Sequence, residues 1–200
     1  MPIKRLLFAS SNQGKIDEVT KLLKQMVPKI QVLTLHDFPG LEKDVDETGN
    51  TLEENALIKA QAYLDNPEHL PVLTDDTGLD VAAFPGLVGI HAARWVPGGI
   101  LACRDALLEK LKGVEDRRLT FTTCFCLLAP EQKPLFFTGQ MHGTAAHALI
   151  GETCFGYDPL FIPEGYEQTL SQLGPDIKNE ISHRRRALEK LAAYLQTQNS

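Results

Sequence analysis

Two adjacent carboxylates, Asp75 and Asp76, lie in the stretch Pro71-Val-Leu-Thr-Asp-Asp-Thr-Gly-Leu-Asp80. Apolar residues that give way to acids, a hydroxyl (Thr77) and a glycine (Gly78) predict a buried strand ending at a tight turn. Such strand ends are where α/β proteins keep their chemistry. Consecutive strand side chains point to opposite faces, so the two acids are expected to divide their work. One can face a cleft, hold a metal or activate a water, while the other bonds the backbone of the turn. The same four residues also suit a solvated Asx-type turn, and the rest of the chain decides between the two.

Several other groups bear on that choice. The polar segment Ser10-Ser11-Asn12-Gln13-Gly14-Lys15 separates a strand-like run, 3–9, from a helical pattern carried by Ile16, Val19, Leu22, Leu23 and Met26. Ser11 or Asn12 can cap that helix, and a helix N-terminus attracts anions through its free amides and dipole. Lys15 adds a full positive charge. The segment lacks the Gly-x-x-x-x-Gly-Lys-Ser/Thr spacing of a P-loop. Glu47 sits in an acidic loop, 41–50, and Phe155, in a glycine-containing loop, could stack on a base. Lys178, His183 and Arg184 to Arg186 gather where a last helix is expected to begin, near Asn179. Cations there oppose the helix dipole unless an anion is close. A polyphosphate needs cations and a divalent metal to be bound and attacked. Hard oxygen ligands select Mg²⁺, and a carboxylate beside a water can act as general base. Together these groups point to hydrolysis of a nucleotide phosphoanhydride.

The elements expected to position them alternate strand and helix in the first part of the chain. A second strand is expected at 30–35, and Thr51-Leu-Glu-Glu54 forms a capping box that opens a helix through about Tyr63. Asn55 and Lys59 share a face of that helix. After the Asp75–Asp76 strand comes a glycine-punctuated region, then a helix at about 101–111. A strongly alternating strand spans 119–129, with 134–138 as its hairpin partner, a further edge strand within 139–149, and a short strand at 160–162. The fold class read from this order is α/β, with a mixed central sheet flanked by helices and a single domain over residues 1–200.

Composition narrows the function further. The chain has 200 residues, of which 43% are hydrophobic and 23% charged, ordinary values for a globular protein that builds a full core. The net charge of −6 argues against a nucleic-acid binder that relies on counterion release. No apolar run is long enough to span a bilayer and the N-terminal residues carry no signal-peptide pattern, so no membrane partner and a cytoplasmic location are expected. The four cysteines, Cys103, Cys124, Cys126 and Cys154, lack metal-ligand spacing and read as reduced thiols.

Taken together, Ser10–Lys15, Glu47-Thr-Gly-Asn-Thr-Leu-Glu-Glu-Asn55 with Lys59, Thr74-Asp-Asp-Thr-Gly-Leu79, Phe155-Gly-Tyr-Asp-Pro-Leu-Phe161, and Lys178 with Ser182-His-Arg184 resemble the inosine triphosphate pyrophosphatase family, the XTP/dITP pyrophosphatases. The resemblance spans nearly the whole chain. It implies Mg²⁺-dependent hydrolysis of ITP, dITP and XTP to the monophosphate and pyrophosphate. It also implies a homodimer and an elongated sheet with a cleft between two lobes. By motif match it makes Asp76 the general base and, with Glu47, a metal ligand. Ser10, Ser11, Asn12, Gln13, Gly14 and Lys15 would hold the triphosphate, and Thr77 would touch the substrate. Phe155, Gly156, Tyr157 and Asp158 would frame the base, with Lys178, His183 and Arg184 completing recognition. Lys59 and Arg94 are further basic candidates. Two positions depart from the usual pattern: Cys154 stands where a glycine is common, and His91-Ala-Ala-Arg94 where many bacterial relatives have Tyr-Ser-Ala-Arg.

Two other classes compete. A phosphatase of the haloacid dehalogenase type would use the acids as a nucleophile loop, but that loop needs Asp-x-Asp, with both acids on one face. A nucleotide sensor would bind the same ligand without turnover.

Overall fold

A computed structural model describes residues 3–152 and 156–198. Six strands form one mixed sheet in the order β2-β1-β3-β4-β5-β6. They are β1 (Arg5–Phe8), β2 (Gln31–Thr34), β3 (Val72–Val81), β4 (Arg118–Leu128), β5 (Leu135–Ala145) and β6 (Phe161–Pro163). β1 pairs parallel with both β2 and β3, whereas β5 and β6 are antiparallel. The helices are α1 (Gln13–Met26), α2 (Leu52–Ala62), α3 (Gly99–Lys110), α4 (Leu170–Ile181) and α5 (His183–Thr197). Among the described residues no helix is long and apolar enough to cross a membrane.

The chain forms two compact units. The first comprises Met1–Asp76, Thr123–Gly139 and Arg184–Ser200, and the second comprises Thr77–Thr122 and Gln140–His183. In the first unit, the run Leu6-Leu7-Phe8-Ala9 is buried on both faces, the pattern of a covered parallel strand. Leu6 and Phe8 meet the apolar stripe of α1 (Ile16, Val19, Leu22, Leu23) together with Leu188, Leu191 and Leu195 of α5. Leu7 and Ala9 face the other way, toward Ala56 and Ala60 of α2 and Tyr63. The second unit has its own core, with Leu79 and Val81 of β3, Leu107 of α3, Leu119 and Phe121 of β4, Met141 of β5, and Leu160 and Phe161.

Three expectations change. β3 does not stop at Asp76: it runs to Val81, and Leu79 exchanges both backbone hydrogen bonds with Gly89 at 3.0 Å, so the glycine at 78 lies within extended chain rather than in a turn. The segments expected as two strands in 134–149 are one, β5. Its Gly143 is there for close approach, since a Cβ would come within 2.2 Å of the Ile162 carbonyl on β6. Finally, α4 is a helix that the Gly174-Pro175 pair disguises. Thr169 and Gln172 form a capping box, and the helix kinks at Gly174 (φ 80°) before continuing from Pro175. The closing helix therefore opens at His183, not near Asn179, and Lys178 belongs to α4.

Candidate active site

In the first unit, α1 starts at Gln13, so the polar segment after β1 is shorter than expected and Lys15 lies in the first helical turn. Asn12 is the cap, with its Oδ1 accepting from the Lys15 amide at 3.1 Å. Ser10 Oγ accepts from the Asn12 amide at 3.3 Å, and Gln13 is held by Asp17 and His36. Ser11, Asn12 and Gln13 are exposed, and Gly14 and Lys15 are half-buried. The start of α1 thus keeps the amide-rich, outward character of an anion site. The Lys15 side chain turns back to Asp75, Nζ to Oδ2, at 2.9 Å.

Asp75 and Asp76 do face different partners, as strand geometry requires. Asp75 receives Lys15 and lies 4.0 Å from Arg184 Nε. Burial alone would push its carboxyl up, but Lys15, Arg184 and Lys59 together hold it well below the usual carboxylate range. Arg184, 3% exposed in the second position of α5, also pairs with Glu18 of α1 at 2.5 Å. These acids relieve the cation-loaded start of that helix. Glu18 was not anticipated as part of the site. Its signal is an acid inside the apolar stripe of α1, between Ile16 and Val19.

Asp76 belongs to a second arrangement. Thr51 caps α2 by accepting from the Glu54 amide at 3.1 Å, while Glu54 reaches the Asn50 amide at 2.6 Å. With its start fixed, α2 presents Asn55 and Lys59 one turn apart. Asn55 is fully buried: Oδ1 accepts from the Gly49 amide at 2.8 Å and Nδ2 donates to Asp76 Oδ2 at 3.1 Å. Gly49 has to be glycine at this approach, because a Cβ would lie 2.7 Å from Asn55 Oδ1 and 2.9 Å from its backbone nitrogen. Lys59 Nζ bonds Glu47 Oε1 at 2.6 Å and stands 3.5 Å from Asp76 Oδ1. Thr74 Oγ1 ties β3 to the Ala56 carbonyl of α2 at 2.6 Å.

This is an acid–base arrangement with a defined polarity. Burial, with Glu47 adding to it, raises Asp76 above the usual carboxylate range against the opposing pull of Lys59 and Asn55. Burial pulls Lys59 down, but Asp75, Asp76 and Glu47 outweigh it and raise its pKa, so it stays charged. Two carboxylates therefore converge on one cation. Among the described residues no cluster of three or more His, Cys, Asp or Glu side chains has a metal-binding arrangement. A pair of hard oxygen donors is nevertheless what Mg²⁺ takes from a protein when waters and phosphates complete its shell, and Glu47 and Asp76 fit that donor set.

In the second unit, Thr77 is half-buried on β3, directly after Asp76. Asp158 and Lys178 pair at 2.6 Å. The His183 ring is buried and stacks on Phe121, centroids 5.0 Å apart and planes 17° from parallel. Gly156 has φ 55°, a conformation that favours glycine. Tyr157 is 2% exposed. Arg94 is exposed in a turn segment. Phe155 and Cys154 lie outside the described residues. Phe121 was missed because, in an alternating strand, its residue type signals only core.

Residues 6–194 match the Ham1 family. A protein of Bacillus anthracis named dITP/XTP pyrophosphatase is 38% identical over 195 residues, covering 94% of this chain and 95% of that one. One of the same name from Porphyromonas gingivalis is 37% identical, covering 96% and 98%. Among solved structures, the Ham1 protein of Staphylococcus aureus superposes with a TM-score of 0.83 at 36% identity, covering 97% of this chain and 99% of that one. A HAM1 protein from Coxiella burnetii superposes with the same TM-score of 0.83 at 32% identity, covering 98% and 100%. With family match, relatives and fold all agreeing over nearly its full length, this chain belongs to the Ham1 family.

Proposed function

We propose that the protein hydrolyses deaminated purine nucleoside triphosphates (ITP, dITP and XTP) to the nucleoside monophosphate and pyrophosphate, with Asp76 as general base. The observation that carries this is the Asp76 carboxylate, raised in pKa by burial and held between Asn55 Nδ2 and the Lys59 ammonium. A base poised upward from the ordinary carboxylate range takes a proton more readily near neutral pH. The names of the relatives support the substrate class.

Asp76 accepts a proton from a water as the water oxygen forms its bond to the α-phosphorus. The bond from that phosphorus to the bridging oxygen breaks, and pyrophosphate leaves with the electron pair. Asn55 orients the carboxylate, and Lys59 offsets the negative charge around Glu47 and Asp76. The start of α1, from Ser10 to Lys15, offers amides and a cation to the triphosphate. Asp75 holds the Lys15 ammonium in place. Glu47 and Asp76 would hold Mg²⁺, which when bound supplies Lewis-acid neutralisation of phosphate charge.

Phe155 and Gly156 to Asp158 frame the base, and Lys178, His183 and Arg184 complete base and phosphate recognition. A 6-oxo purine presents O6 and N7 as acceptors, whereas adenine puts an amino donor in place of O6. Donors on these side chains favour the oxo form, and a mispaired buried polar group costs about 1–3 kcal/mol. We infer that the protein acts in the cytoplasm as a homodimer. The test is pyrophosphate release from ITP, XTP, GTP, ATP, dUTP and dTTP with Mg²⁺. ITP and XTP should be cleaved fastest, yielding pyrophosphate. Orthophosphate as the first product, or binding without turnover, contradicts the proposal.

A further inference from the structure

The chain's single tryptophan, Trp95, stands at the end of the segment His91-Ala-Ala-Arg-Trp95 in the second unit. Its indole N–H donates to the Tyr157 hydroxyl at 3.1 Å. That hydroxyl in turn donates to the Ala92 carbonyl at 2.7 Å. The hydroxyl's acceptor and donor functions are thereby both engaged by one short segment, at residues three apart. Burial raises the Tyr157 phenol above its ordinary range, so the hydroxyl keeps the proton that this geometry needs.

Tyr157 is a junction. Its carbonyl accepts from the amides of Leu160 and Phe161 at 2.9 and 3.1 Å. Its ring meets Phe121 edge-on, centroids 6.0 Å apart, and Phe121 carries the stacked His183 ring. The next residue, Asp158, holds Lys178 and accepts through its carbonyl from the Ser171 amide at 3.2 Å. On the other side, Gly156 holds φ 55°, a conformation that favours glycine, with Ile100 Cδ1 2.8 Å from where a Cβ would stand. The position of this turn therefore depends on few degrees of freedom, and the Tyr157 hydroxyl is the one that can be removed by a single-atom change.

We propose that Trp95 is a positioning residue for nucleobase recognition. Through the Tyr157 hydroxyl it fixes the turn 156–158, and with it the Asp158–Lys178 pair and the Phe121–His183 stack. The inference rests on the reading that these residues meet the base, and it adds a residue of the second unit that sets selectivity rather than rate.

The test uses Trp95→Phe, which keeps an aromatic ring but deletes the N–H, Tyr157→Phe, which deletes the hydroxyl, and the double variant. Inosine monophosphate binding is measured by calorimetry, and ITP and ATP hydrolysis by pyrophosphate release. Loss of one buried hydrogen bond predicts about fivefold weaker inosine monophosphate binding and a similar rise in KM for ITP, with kcat retained. It also predicts a narrowed ITP-to-ATP ratio, since the recognised feature is the 6-oxo group. Because both substitutions break the same link, the double variant should be no worse than the worse single variant. Unchanged affinity and selectivity overturn the proposal, as does a fall in melting temperature alone, which marks a purely structural bond. Binding of inosine monophosphate by the parent without hydrolysis of any triphosphate defeats the proposed activity but leaves the affinity comparison intact. Absence of inosine monophosphate binding by the parent overturns the positioning role.

Discussion

Asn55 joins Asp76 to the acidic loop: one face of its amide donates to Asp76 Oδ2 at 3.1 Å and the other accepts the Gly49 N–H at 2.8 Å. A single buried side chain thus sets both the orientation of the Asp76 carboxylate and the path of the loop carrying Glu47. Asn55→Ala leaves a buried amide and a carboxylate oxygen without these partners. We expect a loss of about 1–3 kcal/mol in urea unfolding, with a lower kcat. Asn55→Asp retains the acceptor for Gly49 but places a second acid against Asp76, and it should raise the acid limb of the pH–rate profile. A parent-like profile in Asn55→Asp contradicts the assigned contact.

Lys59 offers a separate check on the electrostatics of the same carboxylate. It lowers the Asp76 pKa that burial and Glu47 raise. In Lys59→Gln that restraint is gone, so Asp76 protonates at higher pH, and the acid limb of kcat/KM for ITP should move upward. A downward shift, or none, argues that Lys59 does not act on Asp76.

The two neighbouring acids should have opposite effects on stability. The folded-state pKa of Asp75 is depressed, so the native state binds fewer protons than the unfolded one just below the ordinary carboxylate range. Its contribution is present above that range and is lost as pH falls below it toward the depressed folded-state value. Asp76 has a raised folded-state pKa, so its contribution is present at low pH and is lost as pH rises through that value. At neutral pH, Asp75→Asn breaks a buried pair with Lys15 and should cost about 3–5 kcal/mol, whereas Asp76→Asn removes a desolvated charge and should stabilise the fold. Urea titrations across pH decide this. Equal effects of the same sign contradict the assignment of separate environments.

Thiol chemistry tests the core. Burial pushes the Cys124 thiol up to about 11 and Cys126 up to about 12, and Cys103 is buried as well. Native protein at neutral pH should show no labelling of these three by iodoacetamide in mapped mass spectra, with full labelling after unfolding. Rapid native labelling of Cys124 or Cys126 contradicts their burial.

Much of this arrangement was legible in residue types. Leu6 to Ala9 and the alternating run of β4 announce strands, Asn12 and Thr51 announce helix starts, and period-two geometry separates Asp75 from Asp76 before any contact is known. Elsewhere local chemistry was ambiguous. Gly78 read as a turn signal although it lies in extended chain, because the pairing of its neighbour Leu79 with Gly89 is a long-range fact. Gly174-Pro175 masked α4 for the same reason: a kinked helix and a helix end share a sequence signature. The pairing of Arg184 with Glu18 links residues 166 apart, and spacing alone cannot reveal it.

Whether Asp76 takes the proton from the attacking water is decided by pyrophosphate release from ITP by Asp76→Asn, paired with calorimetric binding of inosine monophosphate. We expect kcat to fall about 10²–10⁴-fold with inosine monophosphate affinity close to that of the parent. Hydrolysis at the parent rate would show that Asp76 is not the base.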